Sequence, residues 1–274
     1  MDRHESVLLT PDIRGPFKVW TPPDRSRRYV LGADTAGGKS TNDFSAACVV
    51  DAFSGGVCAT WHGHVEPDHF ANICMAIGLY YGGQDEQAYF VPEINNHGLV
   101  VLTEVQRMGY HNIYTRVTWD AIENRMRPTL GFQTSVKSRP ILIGRGKVIL
   151  RDGEVAIPDE TILNEMSTYV NVVSPRGVQM REDHAEGSND DLLFSWMLAQ
   201  EGRYRLHEAG LAPPPVREKA PTEAATVGVS RGVTETWVWE AHKRAVAESH
   251  ARAEALADGD EYEQTFEDGV ESYL

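Results

Sequence analysis

Short apolar runs alternate with amphipathic segments over the first 200 or so residues. Apolar runs bounded by turn residues predict five strands, at residues 29–34, 45–51, 57–65, 88–93 and 112–117. Apolar positions at helical spacing predict helices at residues 68–81, 98–108, 138–150, 159–170 and 190–201. The order of these elements indicates an α/β domain, in which three antiparallel strands and further parallel strands form a mixed central sheet with helices on both faces.

The domain boundaries follow from where this pattern starts and stops. Residues 1–27 contain four prolines and are predicted to be an irregular lead-in, so the folded domain is placed at residues 28–205. Residues 206–234 are rich in proline and small residues, which is typical of a linker. Residues 235–274 are predicted to form one helix followed by a disordered acidic tail, because the last 22 residues hold eight acidic and no basic side chains.

Composition and charge exclude several classes of protein. The chain has 274 residues, and none of its apolar stretches approaches the roughly 20 residues of a membrane span, so an integral membrane protein is excluded. The polar start excludes a secretory signal peptide. Three cysteines without a CxxC spacing argue against a disulfide framework or a cysteine zinc site. A net charge of −14 argues against coating of DNA by bulk positive charge.

One glycine-rich stretch imitates a phosphate-binding loop. A Walker-type loop has four residues between its first glycine and the Gly-Lys pair, whereas five residues separate Gly32 from Gly38-Lys39. The extra residue and the acidic Asp34 spoil the nest of backbone amides that would hold a phosphate. We therefore predict a glycine-rich turn here and no nucleotide hydrolase.

Acidic residues end or begin several predicted elements. Asp34 closes the first strand, Glu93 closes the fourth, and Asp190 and Asp191 open the last helix. Taken singly, Asp34 could be a turn residue and the Asp pair a helix cap. If the two strands are neighbours, however, all the carboxylates meet at one edge, where they repel one another unless cations lie between them. Oxygen ligands suit Mg²⁺ or Mn²⁺, and two such ions hydrolyse phosphodiesters.

Several sequence blocks, taken in order, carry a family resemblance. They are residues 29–36 with 43–47, the Pro-Glu-Ile-Asn-Asn-His-Gly block at 92–98 with Gly109-Tyr110, the Gly-Phe-Gln-Thr block at 131–134 with Lys137, and residues 189–193 before an apolar helix. Together, over about residues 17–205, they resemble the C-terminal nuclease domain of the large terminase subunit of tailed bacteriophages. The resemblance implies an RNase H-like fold of the retroviral integrase type, and metal-dependent cutting of concatemeric phage DNA during packaging.

The resemblance also assigns roles to particular residues. Asp34 matches the first metal-binding acid of the family, Glu93 matches the second, and the Asp190-Asp191 pair covers the third, without deciding which of the two is the closer ligand. The implied cofactors are two Mg²⁺ or Mn²⁺ ions. Family members often have histidine before the Asp pair, where this chain has Asn189. Asp43 matches an acid after the first turn, which we assign to the turn or to a supporting position rather than to the metal.

Basic residues of the middle third are candidates for contacts to the DNA backbone. Lys137 matches a basic residue that lies close to DNA in the family, and the other candidates in its vicinity are Arg139, Arg145 and Lys147. Ordinary surface charge is the alternative explanation for each.

Aromatic residues and histidines near the candidate site have simpler structural explanations. We expect Trp61 and Trp119 to pack in the core rather than to stack on bases. We expect His62 and His64 to lie on an exposed strand face rather than to bind metal, and His97 to cap or pack at the start of a helix.

The predicted function is therefore a metal-dependent DNA endonuclease with low sequence specificity. The alternatives are a non-catalytic DNA-binding or docking module of the packaging motor, and a resolvase or transposase-type nuclease on the same fold. Large terminases also contain an ATPase motor, so the chain is either an isolated domain or one half of a split subunit. By resemblance, the expected partners are double-stranded DNA, that motor, the small terminase subunit and the portal or procapsid, in the host cytoplasm.

Overall fold

The computed structural model describes residues 12, 14–37, 44–120, 124–153, 155–173, 180–184 and 189–212, without the side chains of residues 120, 170–173 and 180–184. The chain divides into two compact units, Met1–Glu218 and Lys219–Leu274, and every described residue belongs to the first. Asp43, Lys39, most of the predicted linker, and the predicted helix and acidic tail lie outside the described residues.

A five-stranded sheet forms the centre of the first unit. Its strands are β1 (Phe17–Val19), β2 (Tyr29–Asp34), β3 (Ser45–Asp51), β4 (Val57–Gly63) and β5 (Tyr89–Pro92), in the spatial order β1-β4-β3-β2-β5. β5 runs parallel to β2, and the other pairings are antiparallel. This arrangement confirms the predicted mixed sheet. β1 corrects the prediction for the lead-in, because a short run in the proline-rich region pairs with the edge of β4.

Helices cover both faces of the sheet, as predicted. The helices are α1 (Pro67–Tyr80), α2 (Gly98–Arg107), α3 (Ser138–Arg151), α4 (Glu160–Ser167) and α5 (Asp191–Glu208), and Gly83–Asp85 form a single 3₁₀ turn. One core lies between the sheet and helices α1 and α2, around Phe70 and Phe90. The other core lies beneath α3, α4 and α5, around Trp196 and Leu198. Burial of each such large apolar side chain stabilises the fold by about 1.5–3 kcal/mol.

The fifth predicted strand, at residues 112–117, is wrong in its placement. Ile113 makes only an isolated parallel bridge with Phe90. The chain then leaves the central sheet, and β6 (Thr115–Asp120) pairs with β7 (Arg125–Leu130) in a separate antiparallel hairpin. Trp119 is therefore 58% exposed, contrary to the predicted core packing, whereas Trp61 is buried as predicted.

Two further differences concern the last helices. The helix predicted at 159–170 ends at Ser167, because Tyr169 starts a second hairpin between β8 (Tyr169–Val173) and β9 (Met180–His184). α5 continues to Glu208, seven residues beyond its predicted end and past the proposed domain boundary at 205. None of the described helices is both long enough and apolar enough to cross a membrane.

Candidate metal centre

The first two acids lie side by side because β2 and β5 are parallel neighbours. Ala33 is in register with Pro92, so each strand ends with its acid at the same edge of the sheet. The amide of Glu93 donates a hydrogen bond of 2.9 Å to the carbonyl oxygen of Ala33. Glu93 is further held by a parallel bridge to Phe132, in the segment that follows the β6–β7 hairpin.

Helix α5 reaches this edge because a glycine lets it lie directly on β2. A Cβ placed at Gly32 would come 2.5 Å from the amide nitrogen of Ala199 and even closer to the carbonyl oxygen of Ser195. Further along, Gly202 lies against Val30, so the helix runs antiparallel to the strand. Asp34 shares the face of Gly32, and Asp191 lies one turn before Ser195. The packing therefore brings the start of α5 to Asp34.

The pKa of Asp34 reflects its burial and the acidic residues around it. Burial raises the pKa of Asp34 well above its usual range, and the charge of Glu93, a hydrogen bond shared with Glu93, and the charges of Asp191 and Asp190 raise it further. The charges of three other carboxyl groups thus act on Asp34. Two carboxyl groups can share a hydrogen bond only when one of them is protonated.

The Glu93 carboxylate is oriented by a neighbouring amide side chain. Asn95 Nδ2 donates a hydrogen bond of 3.1 Å to Glu93 Oε1 and another of 2.9 Å to the carbonyl oxygen of Thr134. His97, two residues later, makes no side-chain cap for α2, so the expected capping role is wrong. Its ring packs against Gly37 instead, where a Cβ would approach His97 Nε2 to 2.9 Å.

Asp190 and Asp191 have different surroundings although they are adjacent. Asp190 Oδ2 accepts a hydrogen bond of 2.9 Å from Arg139 Nη2 and a longer one of 3.4 Å from the Tyr169 hydroxyl. The guanidinium of Arg139 also lies over the ring of Phe194, 5.2 Å from its centre. Asp191 has the larger effect of the two on the pKa of Asp34. Asp190 therefore lies on the side of Arg139, and the charge of Asp191 acts on Asp34.

Glu165 is a fifth acid at this place, and sequence reasoning missed it. It lies on α4, is only 7% exposed, and its Oε2 accepts a hydrogen bond of 2.6 Å from the amide of Leu193. Burial, assisted by the charges of Asp191 and Asp190, raises its pKa to about 8. The available sequence signal was an acid three residues after the buried Ile162, on the apolar face of its helix.

The basic residues proposed for DNA contact divide into two groups. Lys137 and Lys147 are exposed at the start and on the outer side of α3. Arg139 lies in the carboxylate cluster itself, and Arg145 pairs with Glu201 and stacks on Tyr204. Lys137 precedes α3 and the other three lie on it, and Arg139 and Arg145 make ion pairs with Asp190 and Glu201.

His62 lies on β4, two strands across from Asp34 with Ala46 of β3 between them, and His64 follows the end of β4. The ring of Phe44 stacks on His64 at 3.8 Å and approaches His62 at 4.5 Å between ring centres. Burial lowers the pKa of His62, so the neutral ring is favoured. His62 is half-buried rather than on a fully exposed face as predicted, whereas His64 is exposed.

The donor chemistry of the cluster fits a hard divalent cation. Within the described ranges, no three or more His, Cys, Asp or Glu side chains are placed to hold an ion as they stand. The residues that meet here nevertheless offer carboxylate oxygens almost exclusively, which suits Mg²⁺ and Mn²⁺. Beside Asp34, the Thr35 hydroxyl is buried without a hydrogen-bond partner among the residues described. A cation among these oxygens would relieve the repulsion that raises the pKa of Asp34.

The fold is similar to that of solved nuclease structures. No protein-family model and no curated protein sequence matches the chain. The large terminase nuclease from thermophilic phage G20c, with bound cobalt or with bound magnesium, is similar with a TM-score of 0.55 and 21% identity over 71% of this chain and 92% of that chain. The Thermus phage P74-26 large terminase nuclease domain is similar with a TM-score of 0.52 and 20% identity over 70% and 88%. The chain therefore has the RNase H-like α/β fold of the large terminase nucleases.

Proposed function

We propose that this chain is a metal-dependent endonuclease that cuts concatemeric viral DNA during genome packaging, with low sequence specificity. The observation that carries the proposal is the meeting of Asp34, Glu93 and the Asp190-Asp191 pair at one sheet edge, where their charges act on one another. The fold and the magnesium bound to the G20c nuclease support the same function. Resident ions are proposed to be two Mg²⁺ or Mn²⁺.

Different residues of the cluster would bind these ions or orient the residues that bind them. Asp34 and Glu93 supply oxygens from two strand ends that the sheet fixes, and Asp191 supplies oxygens from the start of a buried helix. Asn95 keeps the Glu93 carboxylate in one orientation through its hydrogen bond. When bound, the ions would supply an activated water for in-line attack on phosphorus and neutralise the leaving 3′ oxygen.

Duplex DNA is the proposed substrate, and its backbone would meet α3 beside the cluster. Lys137 and Lys147 are exposed on this helix, and contacts between lysine and phosphate position DNA without reading its sequence. The packaging ATPase, as a separate domain or chain, the small terminase subunit and the portal or procapsid are proposed as protein partners, in the host cytoplasm. A docking module without activity of its own is the alternative that the following assay excludes or supports.

Plasmid cleavage with Mn²⁺ or Mg²⁺ tests the proposal directly. The wild type is expected to cut supercoiled plasmid, and EDTA or the substitution Asp34→Asn is expected to abolish cutting. Asp68→Asn is the matched control, because Asp68 is an exposed acid at the start of α1. Cutting by Asp34→Asn at the wild-type rate would refute the site, and a wild type that binds duplex DNA without cutting it would favour the docking module.

The same assay distinguishes the two adjacent aspartates. Because Arg139 and Tyr169 already engage the Asp190 carboxylate, Asp191→Asn is expected to abolish cleavage, whereas Asp190→Asn is expected to retain a measurable fraction. The reverse order of severity would show that the cation lies on the side of Arg139.

A further inference from the structure

The N-cap residue of helix α5 is an aspartate whose side chain does not cap the helix. Asp190 occupies the N-cap position, where an Asp side chain ordinarily accepts a hydrogen bond from the amide of the second or third helical residue. Its side chain makes no such bond. It contacts Arg139 and Tyr169 instead. Some other group must therefore satisfy the first amides of α5, because buried amides without partners are costly.

Glu165 is the group that satisfies them. Its Oε2 accepts the amide of Leu193, the third helical residue, at 2.6 Å, and its carboxyl group also takes a hydrogen bond from the amide of Leu192, the second. These are the two amides that an N-cap side chain usually serves. Glu165 comes from α4, 28 residues earlier in the chain, and packs against the start of α5 with its side chain buried.

We propose that Glu165 is a positioning residue of the metal centre, which caps α5 from a neighbouring helix and thereby leaves Asp190 in its contact with Arg139 and keeps the Asp191 carboxylate in the cluster with Asp34. The inference rests on the proposed function, since it concerns the same carboxylates. It adds that the start of α5 contributes the Asp191 carboxylate to the cluster and takes its helix cap from α4.

The physical reason is that the Asp190 side chain can either contact Arg139 or cap its own helix. Without Glu165, the amides of Leu192 and Leu193 would be left buried, and Asp190 is close enough in sequence to cap them itself. Rotation of Asp190 toward its own helix would withdraw it from Arg139 and disturb Asp191 beside it. The fold would then survive at a modest cost, whereas the metal centre would be impaired.

The experiment compares Glu165→Leu with Glu165→Gln in the full chain. Leucine has similar bulk and no acceptor, whereas glutamine keeps an oxygen that can accept the two amides. The control is Glu160→Leu, which removes an exposed carboxylate from the first turn of the same helix. The primary measurement is Mn²⁺ affinity by isothermal titration calorimetry, followed by crystal structures of the metal-free variants.

We expect Glu165→Leu to weaken Mn²⁺ binding about tenfold, as the loss of a supporting partner typically does. Glu165→Gln is expected to restore affinity to within about twofold of the wild type, and Glu160→Leu to leave it unchanged. In the structure of Glu165→Leu, Asp190 should accept the Leu193 amide and no longer contact Arg139.

Several results would overturn the inference. They are wild-type Mn²⁺ affinity in Glu165→Leu, an equal loss in Glu165→Gln, and an Asp190 side chain that stays on Arg139 when the cap is gone. Failure of Glu165→Leu to fold would also count against it, because Asp190 is expected to take over the cap. A wild type that binds no Mn²⁺ would instead refute the proposed function, and the position of Asp190 in the variant structure would still decide the capping role.

Discussion

From the close contact between Gly32 and α5 we predict how much Gly32→Ala lowers the unfolding free energy. The added Cβ would lie 2.5 Å from the amide nitrogen of Ala199, whereas ordinary contacts begin at 3.4 Å, and the backbone of a buried helix is the neighbour that must give way. The helix must therefore move by about 1 Å, and overpacking of this kind costs roughly 1–3 kcal/mol of unfolding free energy.

The same displacement would carry Asp191 away from Asp34, because both contacts lie along one helix. A misplacement of about 1 Å can lower the rate of a catalysed step by roughly 100-fold. We therefore expect Gly32→Ala to lose most of its Mn²⁺-dependent plasmid cleavage even where urea titration shows that it is folded. Measuring both quantities on one preparation separates loss of fold from loss of geometry.

Gly144 provides the matched control for this substitution. It lies within α3, and a Cβ placed there meets nothing within 4 Å, so Gly144→Ala is expected to stabilise the helix by about 0.5–1 kcal/mol and to leave cleavage unchanged. If Gly32→Ala were as stable and as active as Gly144→Ala, then α5 would not lie on β2 as described, and the origin of the carboxylate cluster would have to be sought elsewhere.

Three further predictions concern charge and exposure. Glu165 has a pKa of about 8 in the folded protein against an ordinary 4.5, so between these pH values folding is accompanied by uptake of a proton. The unfolding free energy of the metal-free protein should therefore fall as the pH rises from 4.5 to 8. Urea titrations should show a smaller fall for Glu165→Gln, and an identical fall would contradict the burial of this acid. Asp34→Asn removes a repelled buried carboxyl, so its metal-free melting temperature should exceed that of the wild type at pH 8, and Mg²⁺ should raise the melting temperature of the wild type only. Trp119→Ser should change the unfolding free energy by less than about 0.5 kcal/mol, because the side chain is exposed, and a larger loss would mean that the hairpin packs on the core.

The sequence predicted the central sheet and the neighbouring ends of β2 and β5 because both depend on local signals. β2 and β3 are apolar runs with sharp ends, and their predicted bounds agree with the structure. Asp34 and Glu93 each end a strand, so a single assumption, that the two strands are neighbours, was enough to bring them together. That assumption proved correct in the register of β2 and β5.

The remaining features depend on contacts that the sequence pattern does not encode. Val117 and Trp119 alternate with polar residues as they would in a half-buried strand, but they belong to a hairpin that leaves the sheet and stays exposed. Glu165 acts on α5 only because α4 packs there. Arg139 was assigned to DNA as one basic residue among several, and its contact with Asp190 follows from the packing of α3 beside α5.

Helix α5 explains why one set of residues serves both stability and the proposed chemistry. All of its residues from Leu192 to Arg203 are buried, so packing along this stretch fixes its position rather than the acids at its start. Burial beneath this helix, together with the charges of Glu93, Asp191 and Asp190, raises the pKa of Asp34. On the proposed function, a cation among these carboxylates would reduce the repulsion between them without requiring the helix to move.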